Sequence, residues 1–481
     1  MKQGKAILAA AAAAALLAAV AASAGRAYAE SPVTFSGYLR LRTFALGGFF
    51  PADDHQGKRG DRYAVSRLRI NVVFKPTDDV EVRWRFHGPH AARWGSTNTG
   101  AGGDYSLYSL YFYGVIRKPW GTLSVGRLAF DMDSAGFRTL GYLPTWGFNS
   151  QANVFERETE TDGVLYQKDW DNGFGLRTFY AKRAHTRPDA FADRYVTDGD
   201  YDRYSIEPYY KWDGGGVSLA VQYDRNHYDF ASNDRSTVTS AANPRDVDKN
   251  HFWTLNPAFV QKWDVGEGKT LAVHAEAKYS FGKRRRSPDP AVPGDDPPTV
   301  KQDGFGAYLD LALGYPQGDV TLAGWYFRGS DAYADPADDP RVNPADHSLV
   351  HGGEAFYPFI LFNYGNNFLG GRAVSLEGYQ TAGNWGVGLL GNHRLNEFVT
   401  LNWGVGTFGK TADYYLSPNR KASRALGTEI DLGLTVRILD GLQWQTKGAI
   451  FVPGGYYKDR YDRPDFKHNV WGWANEFLFE F

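Results

Sequence analysis

The last twelve residues, Val470 to Phe481 (VWGWANEFLFEF), constrain the fold more than any other stretch of the chain. At period two, Trp471, Trp473, Phe477, Phe479 and Phe481 fall on one side, and Gly472, Ala474, Glu476 and Glu480 fall on the other. A strand shows alternate side chains to opposite faces, so one face here is aromatic up to the final residue. A soluble strand would leave that row at an unprotected end, whereas a strand crossing a bilayer needs a lipid-facing apolar row and aromatics at the interface. The competing reading is a buried edge strand of a soluble protein.

At the other end, Lys2 and Lys5 precede an apolar run from Ala6 to Ala22, and Ala27-Tyr28-Ala29 forms a small-x-small site before Glu30. This pattern predicts a secretory signal peptide over residues 1–29, cut after Ala29. A retained membrane helix fits less well, because the run is alanine-rich, lies at the extreme amino terminus and is followed by a processing site. Beyond it no run of about 18 apolar residues remains to span a bilayer as a helix, so a membrane-spanning mature chain has to be a barrel. The 30 Tyr and 14 Trp suit aromatic belts at the two interfaces. The absence of Cys excludes disulfides, thiolate metal sites and covalent c-type haem. A net charge of −1 gives no global attraction to nucleic acid, and no nucleic-acid partner is expected.

Residues 30–481 read as one domain. Alternating segments run from 33–46 and 62–76 at the start to 442–453 and 467–481 at the end, about eighteen in all. Short connections such as Lys75–Asp79, Lys118–Gly121, Asp213–Gly216 and Leu439–Gly441 carry the Pro, Asp, Asn or Gly that tight turns use. They alternate with long polar loops. An even strand count with that alternation is the plan of an all-β, up-and-down transmembrane barrel, with short turns and both termini on the periplasmic side. Two connections, 131–157 and 330–383, are long and partly apolar or aromatic enough to fold into a pore or to close over it.

Candidate chemistry lies on the first three segments. Leu39 and Leu41 alternate with Arg40 and Arg42; Leu68, Ile70, Val72 and Phe74 alternate with Arg67, Arg69, Asn71 and Lys75; Val82, Trp84 and Phe86 alternate with Glu81, Arg83, Arg85 and His87. Arginine facing lipid near the bilayer midplane costs roughly 2–4 kcal/mol, so the arginine face is expected to look into the barrel. Six guanidinium groups there form a basic stripe suited to carboxylate- or phosphate-bearing solutes. The alternative is that they pair with inward carboxylates, for which Glu207, Glu276, Asp310, Glu429 and Asp431 are available, and simply brace the wall.

A separate acidic series, Glu156, Glu158, Glu160 and Asp162, would suit a hard cation such as calcium near the outer rim, or else form a salt-bridged pore wall. The run GVGTFG at 404–409 matches G-x-G-x-x-G, but it lies inside a candidate strand and opens no helix, so it reads as a strand glycine pattern. No H-E-x-x-H, P-loop or G-x-S-x-G pattern occurs. Neither catalytic residues nor a cofactor are expected. Barrel enzymes assemble their His, Ser and Asp across strands, so an enzyme ranks third among the readings.

The stretch GTEIDLGLTVRILDGLQWQTKGAIFVPGGYY, residues 427–457, resembles the closing region of alginate-export-type outer-membrane proteins: G-x-E-[ILV]-D, strand, tight turn, strand, then PGG-Tyr. The L-R-L-R and R-L-R runs of the first hairpin and LSVGRLAF at 123–130 are similar in style. The resemblance implies an eighteen-stranded barrel with an electropositive conduit for an acidic polysaccharide. It implies conduit roles for Arg40, Arg42, Arg67, Arg69, Arg83 and Arg85, with Arg127 and Arg437 added, and makes Glu429 and Asp431 wall carboxylates. The acidic, proline-containing loop at 330–350 departs from the pattern.

The reading that results is a bacterial outer-membrane channel passing anionic solutes passively. It would sit among outer-membrane lipids and lipopolysaccharide and be recognised by the barrel-assembly machinery through the strand ending at Phe481. A general or sugar porin, or a structural or adhesive barrel plugged by its loops, are the alternatives.

Overall fold

The computed structural model describes residues 33–47, 61–93, 108–128, 161–184, 201–226, 249–285, 299–329, 331–333, 383–461 and 469–481. The segment expected to be a signal peptide, residues 1–29, all of the 131–157 connection with Glu156, most of the 330–383 connection, and Glu158 and Glu160 lie outside them.

Eighteen strands pair with their neighbours in the chain, all antiparallel, and the last pairs with the first to close a barrel. In order they are β1 Val33–Gly47, β2 Asp61–Thr77, β3 Val80–Arg93, β4 Tyr108–Lys118, β5 Gly121–Leu128, β6 Thr161–Asp169, β7 Phe174–Ala184, β8 Tyr201–Trp212, β9 Gly215–Asn226, β10 Lys249–Gly266, β11 Lys269–Arg285, β12 Thr299–Tyr315 and β13 Gly318–Phe327. After the two-residue β14, Ala332–Tyr333, come β15 Asn384–Arg394, β16 Val399–Gly409, β17 Tyr414–Ser417, β18 Arg420–Lys421, β19 Ala425–Leu439, β20 Leu442–Pro453, helix α1 Gly455–Tyr461 and β21 Val470–Glu480. β14, β17 and β18 form a separate small sheet; the remainder make the wall.

Tight turns join the strands at the end where the chain enters and leaves, as the sequence predicted. The Asp213-Gly214 turn between β8 and β9 and the Asp440-Gly441 turn between β19 and β20 place glycine at φ +75° and +78°, where a β-carbon would be strained. Under the convention of short periplasmic turns, this end is periplasmic and the long loops are extracellular.

Alternation divides the wall cleanly. Phe35, Leu39, Phe112, Val125, Leu219, Trp253, Leu309, Leu322, Val387, Ile430, Leu432, Trp471 and Trp473 are all exposed, on every part of the circumference, with Phe35 at 64%. An apolar surface of that extent is incompatible with water and fits lipid. The residues between them point inward. Among the described residues no helix is long and apolar enough to cross a membrane.

Above the extracellular end of β13–β20, β14, β17, β18 and α1 form a cap that the sequence did not reveal. Asp413 clamps it, receiving Lys421 Nζ at 2.6 Å and Arg424 Nε at 2.8 Å, while its own N–H donates to Asp331 Oδ1 at 3.0 Å. The two cations hold the Asp413 carboxyl below its ordinary range, with Arg424 the larger influence. Tyr457 of α1 packs edge-on against Phe451, which stacks on Phe408, so the helix leans over the inner wall at the mouth.

Candidate functional site: the inner face of β1 to β3

Arg40, Arg42, Arg67, Arg69, Arg83 and Arg85 all stand on the face opposite the exposed Phe35 and Leu39, the face that looks into the barrel. Register decides how they meet. Arg40 lies directly across from Arg67 in the β1–β2 ladder, and Tyr38 lies across from Arg69. On the next pair Arg69 faces His87, and Asn71 faces Arg85. Among the described side chains, Glu81 is the one carboxylate on this inner face of β1–β3. It is held by Arg83 and, at 2.9 Å, by Arg117 Nη1 from β4.

Around the seam the charge changes sign by steps. Glu476 of β21 receives a hydrogen bond from Arg42 Nε and lies 4.0 Å from Arg40 Nε. Lys447 of β20 and the buried carboxylates Glu429 and Asp431 of β19 follow on the same inner face. Glu476 therefore serves two arginines. Arg67 has a buried Nε with no hydrogen-bond partner, and Arg85 stacks over the Tyr111 ring at 4.8 Å while donating to Asn71 Oδ1 at 2.6 Å.

The far wall is different in kind. On β7–β12, Arg177 Nε donates to Glu207 Oε2 at 3.0 Å, and Arg203 grips Asp224 with two bonds at 2.7 and 3.1 Å. His274 Nδ1 meets Asp310 Oδ2 at 2.9 Å and Asn256 Nδ2 donates to Glu276 Oε1 at 3.0 Å. All these groups are buried. There the wall-bracing reading of inward charges describes what is seen. On the arginine side, side-chain exposure runs from 11% for Arg42 and 13% for Arg40 to 41% for Arg83 and 42% for Arg117.

Two expected positions are corrected. Arg127 stands opposite Phe112, which is exposed on the outer face, and shares parity with exposed Val125, so it points away from the barrel interior. Its inclusion came from resemblance of LSVGRLAF, against the alternation of that same stretch. Asp162 is Arg127's cross-strand neighbour and is likewise on the outer face, while Thr161 beside it is buried. It therefore does not line a pore. Arg437 keeps the inward parity but sits at the periplasmic rim, exposed and paired with Asp440 across three residues. Among the described residues, no group of three or more His, Asp or Glu is placed to hold a metal. Inward cations that the sequence reading passed over are Arg117, Arg177, Arg203, Lys278 and Lys447; each alternates with outward residues, so the same period-two test marks them.

No family model and no curated protein matches the sequence. Similarity appears in three dimensions. OpdQ of Pseudomonas aeruginosa superposes with a TM-score of 0.51 at 10% identity, covering 93% of this chain and 97% of that one. OccK8 (OprE) of the same organism gives 0.51 at 11%, covering 93% and 98%, and OccAB3 of Acinetobacter baumannii gives 0.50 at 11%, covering 93% and 99%. The chain has the fold of an outer-membrane porin-like barrel. At such identities the likeness is one of fold, and it gives the alginate-export resemblance no separate support.

Proposed function

We propose that the chain is a bacterial outer-membrane channel through which anionic solutes or acidic saccharides pass passively along the arginine face of β1–β3. The observation that carries this is the direct opposition of Arg40 and Arg67, with the Arg67 Nε left without a partner. Like charges placed opposite each other destabilise a sheet, and an anion between them removes the penalty. A run of fixed guanidinium groups near one another, sharing the few carboxylates Glu81 and Glu476, replaces part of a solute's hydration and hands it on. No catalytic residue, cofactor or metal is needed. Export by a leader peptide cleaved after Ala29 and assembly through the strand ending at Phe481 belong to this proposal, as does the finer resemblance to alginate-export proteins.

The test is planar-bilayer conductance under a salt gradient. The wild-type reversal potential is expected to report anion preference, and Arg40→Gln with Arg67→Gln to shift it towards cations. A folded double variant with unchanged selectivity overturns the anion reading and leaves a general or sugar porin. The packing of α1 against Phe451 at the mouth favours a second reading, a barrel closed by its own cap. Absence of conductance from the folded protein would select it.

A further inference from the structure

The outer face carries one continuous row of charges that conduction does not use. From β5 to β12, each residue directly across the ladder from the last, it reads Arg127, Asp162, Lys182, Asp202, Arg225, His251, Lys283 and Lys301. The first part neutralises itself by alternating sign: Lys182 Nζ lies 3.1 Å from Asp202 Oδ1, and Arg225 Nη1 lies 3.7 Å from Asp202 Oδ2. From β9 onward the alternation stops. His251 and Lys301 are the cross-strand neighbours of Lys283, and both lysines are exposed. The nearest diagonal carboxylate, Asp303, is engaged by Arg328 Nη1 at 2.9 Å.

These residues also stand at a defined height. His251 and Lys301 are each third from the start of β10 and β12, Lys283 is third from the end of β11, and Arg225 is next to last in β9. All four are at the long-loop end. Two residues further into the membrane on the same face are Tyr223 and Trp253, whose rings lie 4.9 Å apart, then Tyr279 stacked with Phe281 at 5.5 Å. Aromatic girdles mark the level where acyl chains give way to head groups. A cluster of cations immediately beyond such a girdle faces the head groups of the outer leaflet, where Lys and Arg attract anionic lipid.

We infer that Lys283 and Lys301, flanked by His251 and Arg225, form a binding site on the outside of the barrel for the phosphates of an outer-leaflet glycolipid. The Tyr223 hydroxyl bonds His251 Nδ1 at 2.7 Å, which fixes the imidazole beside Lys283, its cross-strand neighbour. The inference rests on the outer-membrane reading but not on conduction, so the two fail separately.

The probe is purified bis-phosphorylated lipid A, added in chelator-containing buffer to the detergent-solubilised full-length barrel and followed by native mass spectrometry. Wild type is expected to retain lipid A, and to lose that retention when the lipid is dephosphorylated. At the strength typical of a lysine near a charged membrane surface, Lys283→Gln with Lys301→Gln weakens binding about thirty-fold. The Lys283→Arg, Lys301→Arg pair restores it. Lys118→Gln with Lys168→Gln, at the periplasmic end, leaves it unchanged, and single-channel conductance of every variant stays at the wild-type value. Equal retention by wild type and the glutamine pair, or equal retention of dephosphorylated lipid, overturns the site. So does a photo-crosslinker at Phe281 that captures a protein instead of glycolipid in cells.

Discussion

Gly37 and Phe481 are bonded both ways across the seam: the Gly37 N–H donates to the Phe481 carbonyl at 2.8 Å, and the Phe481 N–H donates to the Gly37 carbonyl at 3.1 Å. A β-carbon on Gly37 would stand 2.9 Å from the Phe481 ring and would meet the Arg69 carbonyl oxygen. The final residue is thus part of the closing ladder, with its ring exposed on the lipid face. Deleting Phe481 removes both bonds and the last apolar contact at the point where the first and last strands have to find each other. Synthesis and export are expected to be normal, and heat-modifiable folded protein in the outer membrane to fall several-fold. Wild-type amounts of folded protein in the deletion strain would count against an assembly role for this residue.

The opposite behaviour of the two faces gives a second expectation. Leu41→Arg, Ile70→Arg or Trp84→Arg puts a guanidinium among lipid tails at roughly 2–4 kcal/mol, so insertion of each variant into vesicles should drop sharply. Arg40→Gln, Arg67→Gln or Arg85→Gln changes only the interior and should insert as wild type does. Equal loss from both sets would mean that the inner arginines brace the wall.

What made these faces legible is the period of two. Strand number, short-turn positions and the inward direction of the first six arginines all follow from alternation, because a residue facing lipid and one facing the interior answer to different solvents. The same rule applied to LSVGRLAF groups Arg127 with Leu123 and Val125, and resemblance misled where alternation did not. Pairing was not legible. Whether Arg203 meets Asp224, or Arg40 meets Arg67, depends on strand register, which turn lengths and bulges set over long separations. The cap escaped notice because β14 and β18 have two residues each and α1 has seven, too short for any periodicity to emerge.

The buried pair on the far wall should be costly to break. Arg203 and Asp224 are 0% and 2% exposed and share two hydrogen bonds. Asp224→Ala leaves the guanidinium without its principal counter-charge, at a cost on the order of 3–5 kcal/mol. Arg203→Met with Asp224→Leu, which removes both charges and keeps the volume, should recover much of the loss. Thermal unfolding in detergent measures the two directly, and a single variant as stable as the double would show that the pair contributes little.

Lys410 gives the cap a pH dependence whose sign is fixed. It follows β16 directly, is buried under the Tyr456 ring at 5.1 Å, and has its pKa pushed down to about 7 by that burial and by the charge of Arg460. An exposed lysine in the opened cap titrates near 10.4. Between those values the opened form holds a proton that the closed form lacks. Closing therefore becomes more favourable as pH rises from about 7 towards 10, by up to about 1.4 kcal/mol per unit. Below about 7 both forms are protonated and the dependence ends. Amide exchange at Ala412–Tyr415, corrected for intrinsic rates, should slow between pH 7 and 9.5 in the wild type. In Lys410→Met it should already be slow at pH 7 and flat thereafter. A variant with the same pH slope as wild type would place the titrating group elsewhere, while loss of protection at all pH values would show that the ammonium, paired in its charged form, holds the cap shut.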